Sequence, residues 1–123
     1  MAGDIGSRPR PRGPARWQMP DVDAAALVLA RQVRLAASAL SPGGRARWAP
    51  VLEPLAEPLE DGDLAALRAA ASRVRAAFGV GESVAEDLPD DEALALRDAA
   101  DATLRALARH EMRAGRDVPE RGR

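Results

Sequence analysis

His110 is the chain's only histidine, and the 123 residues include no cysteine. Nucleophilic or general-base catalysis needs such a group held against a partner by the fold. His110 lies beside the cations Arg109 and Arg113, and no nucleophile stands near it in the sequence. A cation near the end of a helix interacts favourably with its dipole, so His110 reads as a helix-surface residue. The missing cysteines remove disulfides, thiolate metal sites and cysteine nucleophiles together.

Two short motifs imitate binding loops and fail on inspection. Asp61-Gly62-Asp63 opens like a calcium loop, but the twelfth position counted from Asp61 is Ser72. The loop requires a bidentate glutamate there, so a turn followed by a helix N-cap is the better account. Gly79-Val80-Gly81 begins like a dinucleotide fingerprint, with Val84 where the third glycine belongs. It also follows a helical pattern where that fingerprint needs a strand. No catalytic residue, cofactor site or metal site is assigned, and the chain reads as a protein that binds. A carboxylate-only enzyme is the third reading, with no acid pair standing out from ordinary caps.

Arginine is the residue type with most to offer. All 18 basic residues are Arg, a bias that a GC-rich genome produces and that the Ala, Gly and Pro content matches. Residues 1–20 carry a net charge of +3, residues 21–115 carry −5 and the last eight carry +1. Arg8, Arg10, Arg12 and Arg16 alternate with prolines and a glycine, a composition that cannot pack a core and favours extended polyproline II. Residues 1–16 are therefore expected to be a disordered arm, 17–115 a helical domain and 116–123 a disordered tail. Four arginines could neutralise phosphates. On the last helix Arg97, Asp101, Arg105, Arg109 and Arg113 recur every four residues. That face reads as solvated i,i+4 pairs, or as a ridge for an acidic partner or nucleic acid. Arg105, Arg109 and Arg113, with the arm's arginines, are the candidate contacts for an anionic partner. An acidic body without a stacking surface argues against a dedicated nucleic-acid binder. Pro11-Arg12-Gly13-Pro14 also satisfies a bare PxxP, a pattern common by chance.

These residues must be positioned by helices. Ala and Leu dominate a 46% hydrophobic fraction, and aromatics amount to 2%, which favours helix over strand. Asp21 after Pro20 suits an N-cap, and Val22, Ala26, Leu29, Val33, Ala36 and Leu40 repeat at three- and four-residue steps. Leu27, Val28 and Leu35 widen that stripe beyond one seam, marking a helix that is central or forms an interface. With Trp17 and Trp48 they are the candidate partner surface, and Trp17 is also expected to pack back onto the domain. Ser41-Pro42 reads as an N-cap followed by Pro at the first helical position, and Gly43-Gly44 as a loosened turn.

Pro50, Pro54 and Pro58 recur every four residues, yet Trp48, Val51, Leu52, Leu55 and Leu59 keep a helical stripe. A bent or broken helix with the prolines along its outer side reconciles the two. The third helix follows Leu64, Leu67, Ala71, Val74 and Phe78, with Gly79 as its stop and Val80 as the accompanying contact. The last runs from Asp90-Asp91-Glu92 to Gly115. The expectation is an all-α protein, a small antiparallel bundle of about four helices. With no apolar run of about 18 residues and no signal-like segment in residues 1–20, it is expected to be cytoplasmic with no membrane partner.

Trp48-Ala49-Pro50-Val51-Leu52 through Leu59, followed by Asp61-Gly62-Asp63-Leu64-Ala65-Ala66-Leu67, resembles the CATRA-associated small proteins. Those are encoded beside caspase-like and TPR-containing conflict systems in actinobacteria. The resemblance covers about a quarter of the chain and includes no counterpart to the three prolines. It implies a small helical accessory protein in a defence or signalling complex and carries over no catalytic residue. The leading expectation is a helical accessory or interaction protein, self-associating or partner-binding. The alternative is a nucleic-acid-associated regulator using the arginine arm and the last helix.

Overall fold

The structure, a computed structural model, describes residues 15–117. These are helical almost throughout, with no strand among them. A 3-10 turn, η1 (Arg16–Gln18), leads into α1 (Pro20–Ala39). The second segment comprises α2 (Pro42–Leu52), η2 (Glu53–Leu55) and α3 (Ala56–Asp61). Then come α4 (Leu64–Ala76), η3 (Val84–Asp87) and the long α5 (Asp90–Asp117). Of the ends expected to be disordered, 1–16 and 116–123, residues 1–14 and 118–123 lie outside the described residues, while Arg16 and residues 116–117 are helical.

α1 is the central element. It packs most extensively on α5, then on α3, and also meets α2, α4, η1 and η2. Val22, Leu29 and Val33 are fully buried on it, with Ala26, Ala30, Ala36 and Ala37 buried on the same helix. Ala99, Ala100 and Ala106 are their small counterparts on α5. Alanine at these contacts lets helix backbones approach closely, while Leu52, Leu59, Leu67, Leu96 and Leu107 supply the bulk of the core. Thr103 is the one buried polar side chain among the described residues. Its hydroxyl lies 2.9 Å from the carbonyl oxygen of Ala99 and 3.2 Å from that of Ala25, where it can donate to either. Hydrogen bonding to backbone allows this burial, and the second contact reaches across to α1.

The triple-proline segment keeps a helical path. Glu53 and Ala56 both stay in the right-handed helical region, with φ/ψ of −57/−42 and −66/−43. The interruption is one 3-10 turn, and it places Pro54 within the first two residues of η2 and Pro58 in the first turn of α3. First-turn residues need no intrahelical N–H partner, so only Pro50 sits inside a helix proper. Pro50 and Pro54 are exposed and Pro58 half-buried, as expected of an outward-facing row.

Several local expectations are corrected. α1 starts at Pro20, with Asp21 and Asp23 inside its first turn rather than capping it. Gly43 and Gly44 are helical, and Gly44 is buried. A Cβ there would lie 2.3 Å from Cβ of Asp87, so glycine serves close packing and not a loosened turn. α4 ends without a left-handed residue at Gly79; the positive φ, 95°, belongs to Gly81. Val80 is fully exposed, and buried Val84 folds back instead, its N–H donating to the carbonyl of Ala77 at 2.8 Å. α5 continues past Gly115 to Asp117. The caps at Ser41 and Asp63 are as expected: Ser41 accepts from the N–H of Gly44 and Asp63 from that of Ala66.

Candidate interaction surface

α1 has one face in the core and another in solvent. Ala24, Leu27, Val28, Arg31, Arg34, Leu35 and Ser38 are exposed, and the three- and four-residue steps between them trace one strip along the helix. Leu27, Val28 and Leu35 remain 46%, 54% and 44% exposed although α1 touches every other helix. Neighbouring helices leave this strip uncovered, so its apolar residues are not explained by the domain's own core.

The strip borders a cleft of about 350 Å³ between α1 and the second segment. Val33 and Ala37 form its floor, Ala56 and Glu53 its far wall, and Arg34 and Ser38 its near edge. Arg34 also reaches across to α3, where its guanidinium donates to both carboxylate oxygens of Glu60 at 2.8 and 2.7 Å. Hydrogen bonding from Arg34 holds the Glu60 carboxyl below its ordinary pKa. A bidentate pair fixes the planar group more firmly than a single contact would. Arg31, one turn away, makes no ion pair among the described residues.

Of the two tryptophans expected at the partner surface, only Trp17 is exposed. Trp17 does not pack back; it is 78% exposed, because Met19 (5% exposed) supplies the buried contact of that segment. Trp48 is excluded from the free surface, being 8% exposed. Its Nε1 donates to Asp87 Oδ2 at 3.1 Å, and the Ser41 hydroxyl donates to Asp87 Oδ1 at 3.0 Å. The backbone N–H of Ser41 also donates to the carbonyl of Asp87 at 2.9 Å. Asp87 thus ties η3 to the start of α2, a role invisible at the sequence level because 46 residues separate the partners.

The arginines divide as well. Arg16, expected to be a disordered anion contact, belongs to η1, and its side chain is only 12% exposed. It pairs with Asp23 and donates to the carbonyls of Pro58, Leu59 and Gly62, at the C-terminal end of α3. The carbonyl of Pro58 also accepts from the N–H of Gly62, while the guanidinium supplies donors to Leu59 and Gly62 at the helix end, so Arg16 is a clamp. Arg8, Arg10 and Arg12 lie outside the described residues. Arg105, Arg109 and Arg113 are exposed on α5. Arg109 comes within 3.9 Å of Asp21, and Arg113 Nη2 lies 3.2 Å from Nε2 of His110. Further back, Asp101 pairs with Arg75 of α4 at 2.8 Å.

His110 does have a carboxylate beside it. Its Nε2 is 2.7 Å from Oδ1 of Asp21, at the opposite end of the sequence. The hydrogen bond from His110 holds the Asp21 carboxyl below its ordinary value. The pair joins the start of α1 to the last turns of α5, and no hydroxyl or thiol accompanies it in these contacts. Among the described residues there is no group of His, Cys, Asp and Glu suited to hold a metal, and no helix long and apolar enough to cross a membrane. No protein-family model matches the chain, and no curated protein or solved structure matches it significantly.

Proposed function

We propose that this is a non-catalytic helical interaction protein that binds a protein partner, or a second copy of itself, through the outer face of α1. The observation that carries the reading is the exposure of Leu27, Val28 and Leu35 on the helix most enclosed by the rest of the domain. Aliphatic side chains grouped beside a cleft mark an interaction site more often than scattered ones do. Trp17, exposed near the start of the same helix, is a candidate aromatic anchor at its edge. An accessory role in a conflict or signalling complex follows from the resemblance to the CATRA-associated proteins and stands or falls with it.

The test compares the parent protein with a Val28→Glu/Leu35→Glu variant in sedimentation and in pull-down from native extract after nuclease treatment. Self-association or a stoichiometric protein partner that the variant loses supports the proposal. A parent that stays monomeric and retains no protein, or a partner kept equally by both, overturns it. Retention of nucleic acid alone without nuclease would instead favour a regulator acting through the arginines.

A further inference from the structure

We propose that the arginine-rich segment Ser7–Pro14 docks along the outer ridge of α2, η2 and α3 in its own chain. That ridge is an unpartnered helix face with a regular composition: Pro50, Glu53, Pro54, Glu57, Pro58 and Asp61 interleave at three- and four-residue steps. Glu53, Glu57 and Asp61 are exposed and make no ion pair among the described residues. Glu60, on the flank, is already engaged by Arg34. Three carboxylates and three proline rings thus face solvent or its edge, in a row, with no occupant.

The occupant is indicated by what enters the row. Arg16 is already seated at its C-terminal end, on the carbonyls of Pro58, Leu59 and Gly62. Beyond Ala15, the residues before it are Ser7-Arg8-Pro9-Arg10-Pro11-Arg12-Gly13-Pro14, with three arginines for three carboxylates. The chain length is sufficient. Eight residues from Arg8 to Arg16 span at most about 28 Å when extended. The ridge from Pro50 to Gly62 is about 18 Å long at 1.5 Å per helical residue. Exposed arginine–carboxylate pairs are individually weak and screened by salt. Covalent attachment through Arg16 gives this segment a high effective concentration at the ridge, which favours it over the same segment of a second copy. The ridge adjoins the strip on α1 across the cleft that Glu53 helps to line, and the inference does not require a partner on that strip.

Because the chain has no cysteine, Ser7→Cys gives a single attachment point for a nitroxide on the full-length protein. Paramagnetic broadening is then read on the amides of residues 50–62 in a nitrogen-15-labelled sample. At low ionic strength the expected result is strong broadening of those amides. Most of it should be lost at high salt, and in a Glu53→Gln/Glu57→Gln/Asp61→Asn variant whose amide spectrum otherwise shows the same fold. No broadening at low salt, or equal broadening in parent and variant, would overturn the proposal. So would broadening that passes from an unlabelled spin-bearing copy to a nitrogen-15-labelled copy without a nitroxide, since the occupant would then be a second chain.

Discussion

Asp87 and Gly44 show how one residue pair can hold two distant stretches together. Asp87 gathers Trp48, the Ser41 hydroxyl and the Ser41 backbone N–H, and it approaches α2 only because Gly44 has no side chain. Gly44→Ala would add a Cβ 2.3 Å from that of Asp87, so η3 and α2 must separate. An overpacked contact of this kind costs about 1–3 kcal/mol. The expected outcome is a lower unfolding midpoint in urea together with an altered Trp48 fluorescence spectrum. An unchanged midpoint would mean that η3 is not held against α2. Asp21 supplies a prediction of a different kind. Its carboxyl is held below the ordinary 3.8 by the hydrogen bond from His110, so it is more readily ionised folded than unfolded. The sign follows: its contribution is present in full above 3.8 and is lost as the pH falls through the depressed folded value. Thermal unfolding of the parent and Asp21→Asn should therefore differ at pH 6 and converge towards pH 2. A constant gap across that range would show that the contact does not act through charge.

Among the elements, the second segment makes the sharpest claim. Its three prolines look equivalent in the sequence, but only Pro50 lies inside a helix, while Pro54 and Pro58 occupy first turns. Replacing an interior proline restores a hydrogen-bond donor and relieves a clash, worth up to about 3 kcal/mol, less the ~0.4–1 kcal/mol by which proline restricts the unfolded chain. Pro50→Ala should thus raise stability in chemical denaturation, whereas Pro54→Ala and Pro58→Ala should leave it level or slightly lower. Equal gains at all three positions would show that the 3-10 turn does not relieve the strain. Helix existence here was legible in the repeat of Trp48, Leu52, Leu55 and Leu59. The placement of the break was not, because periodicity is nearly the same for an α-helix and for one interrupted by a single tighter turn. The end of α4 was misjudged for a related reason: Gly79 and Gly81 are both permissive, and packing of Val84 decides which of them turns the chain.

For the molecule as a whole, the proposed function puts recognition on the exposed face of α1 and leaves stability to the buried one. Leu29→Ala removes a fully buried side chain of α1 and should cost about 2–5 kcal/mol, seen as a large fall in denaturation midpoint. Val28→Glu and Leu35→Glu change exposed positions and should alter stability by only about 0.5 kcal/mol each, while abolishing partner or self-association. Comparable destabilisation from both sets would mean that the outer strip is covered within the fold. By itself the sequence determined the helical class, the caps at Ser41 and Asp63 and the apolar arc of α1. Those depend on local propensity and on spacing within one turn, which a linear chain displays. Only the tertiary structure decided that Trp48 is buried while Trp17 is exposed, that Arg16 clamps α3, and that His110 faces Asp21. Each of these depends on a partner 39 to 89 residues away, or on which of two neighbours wins a place in the core, and close packing settles that competition rather than local preference.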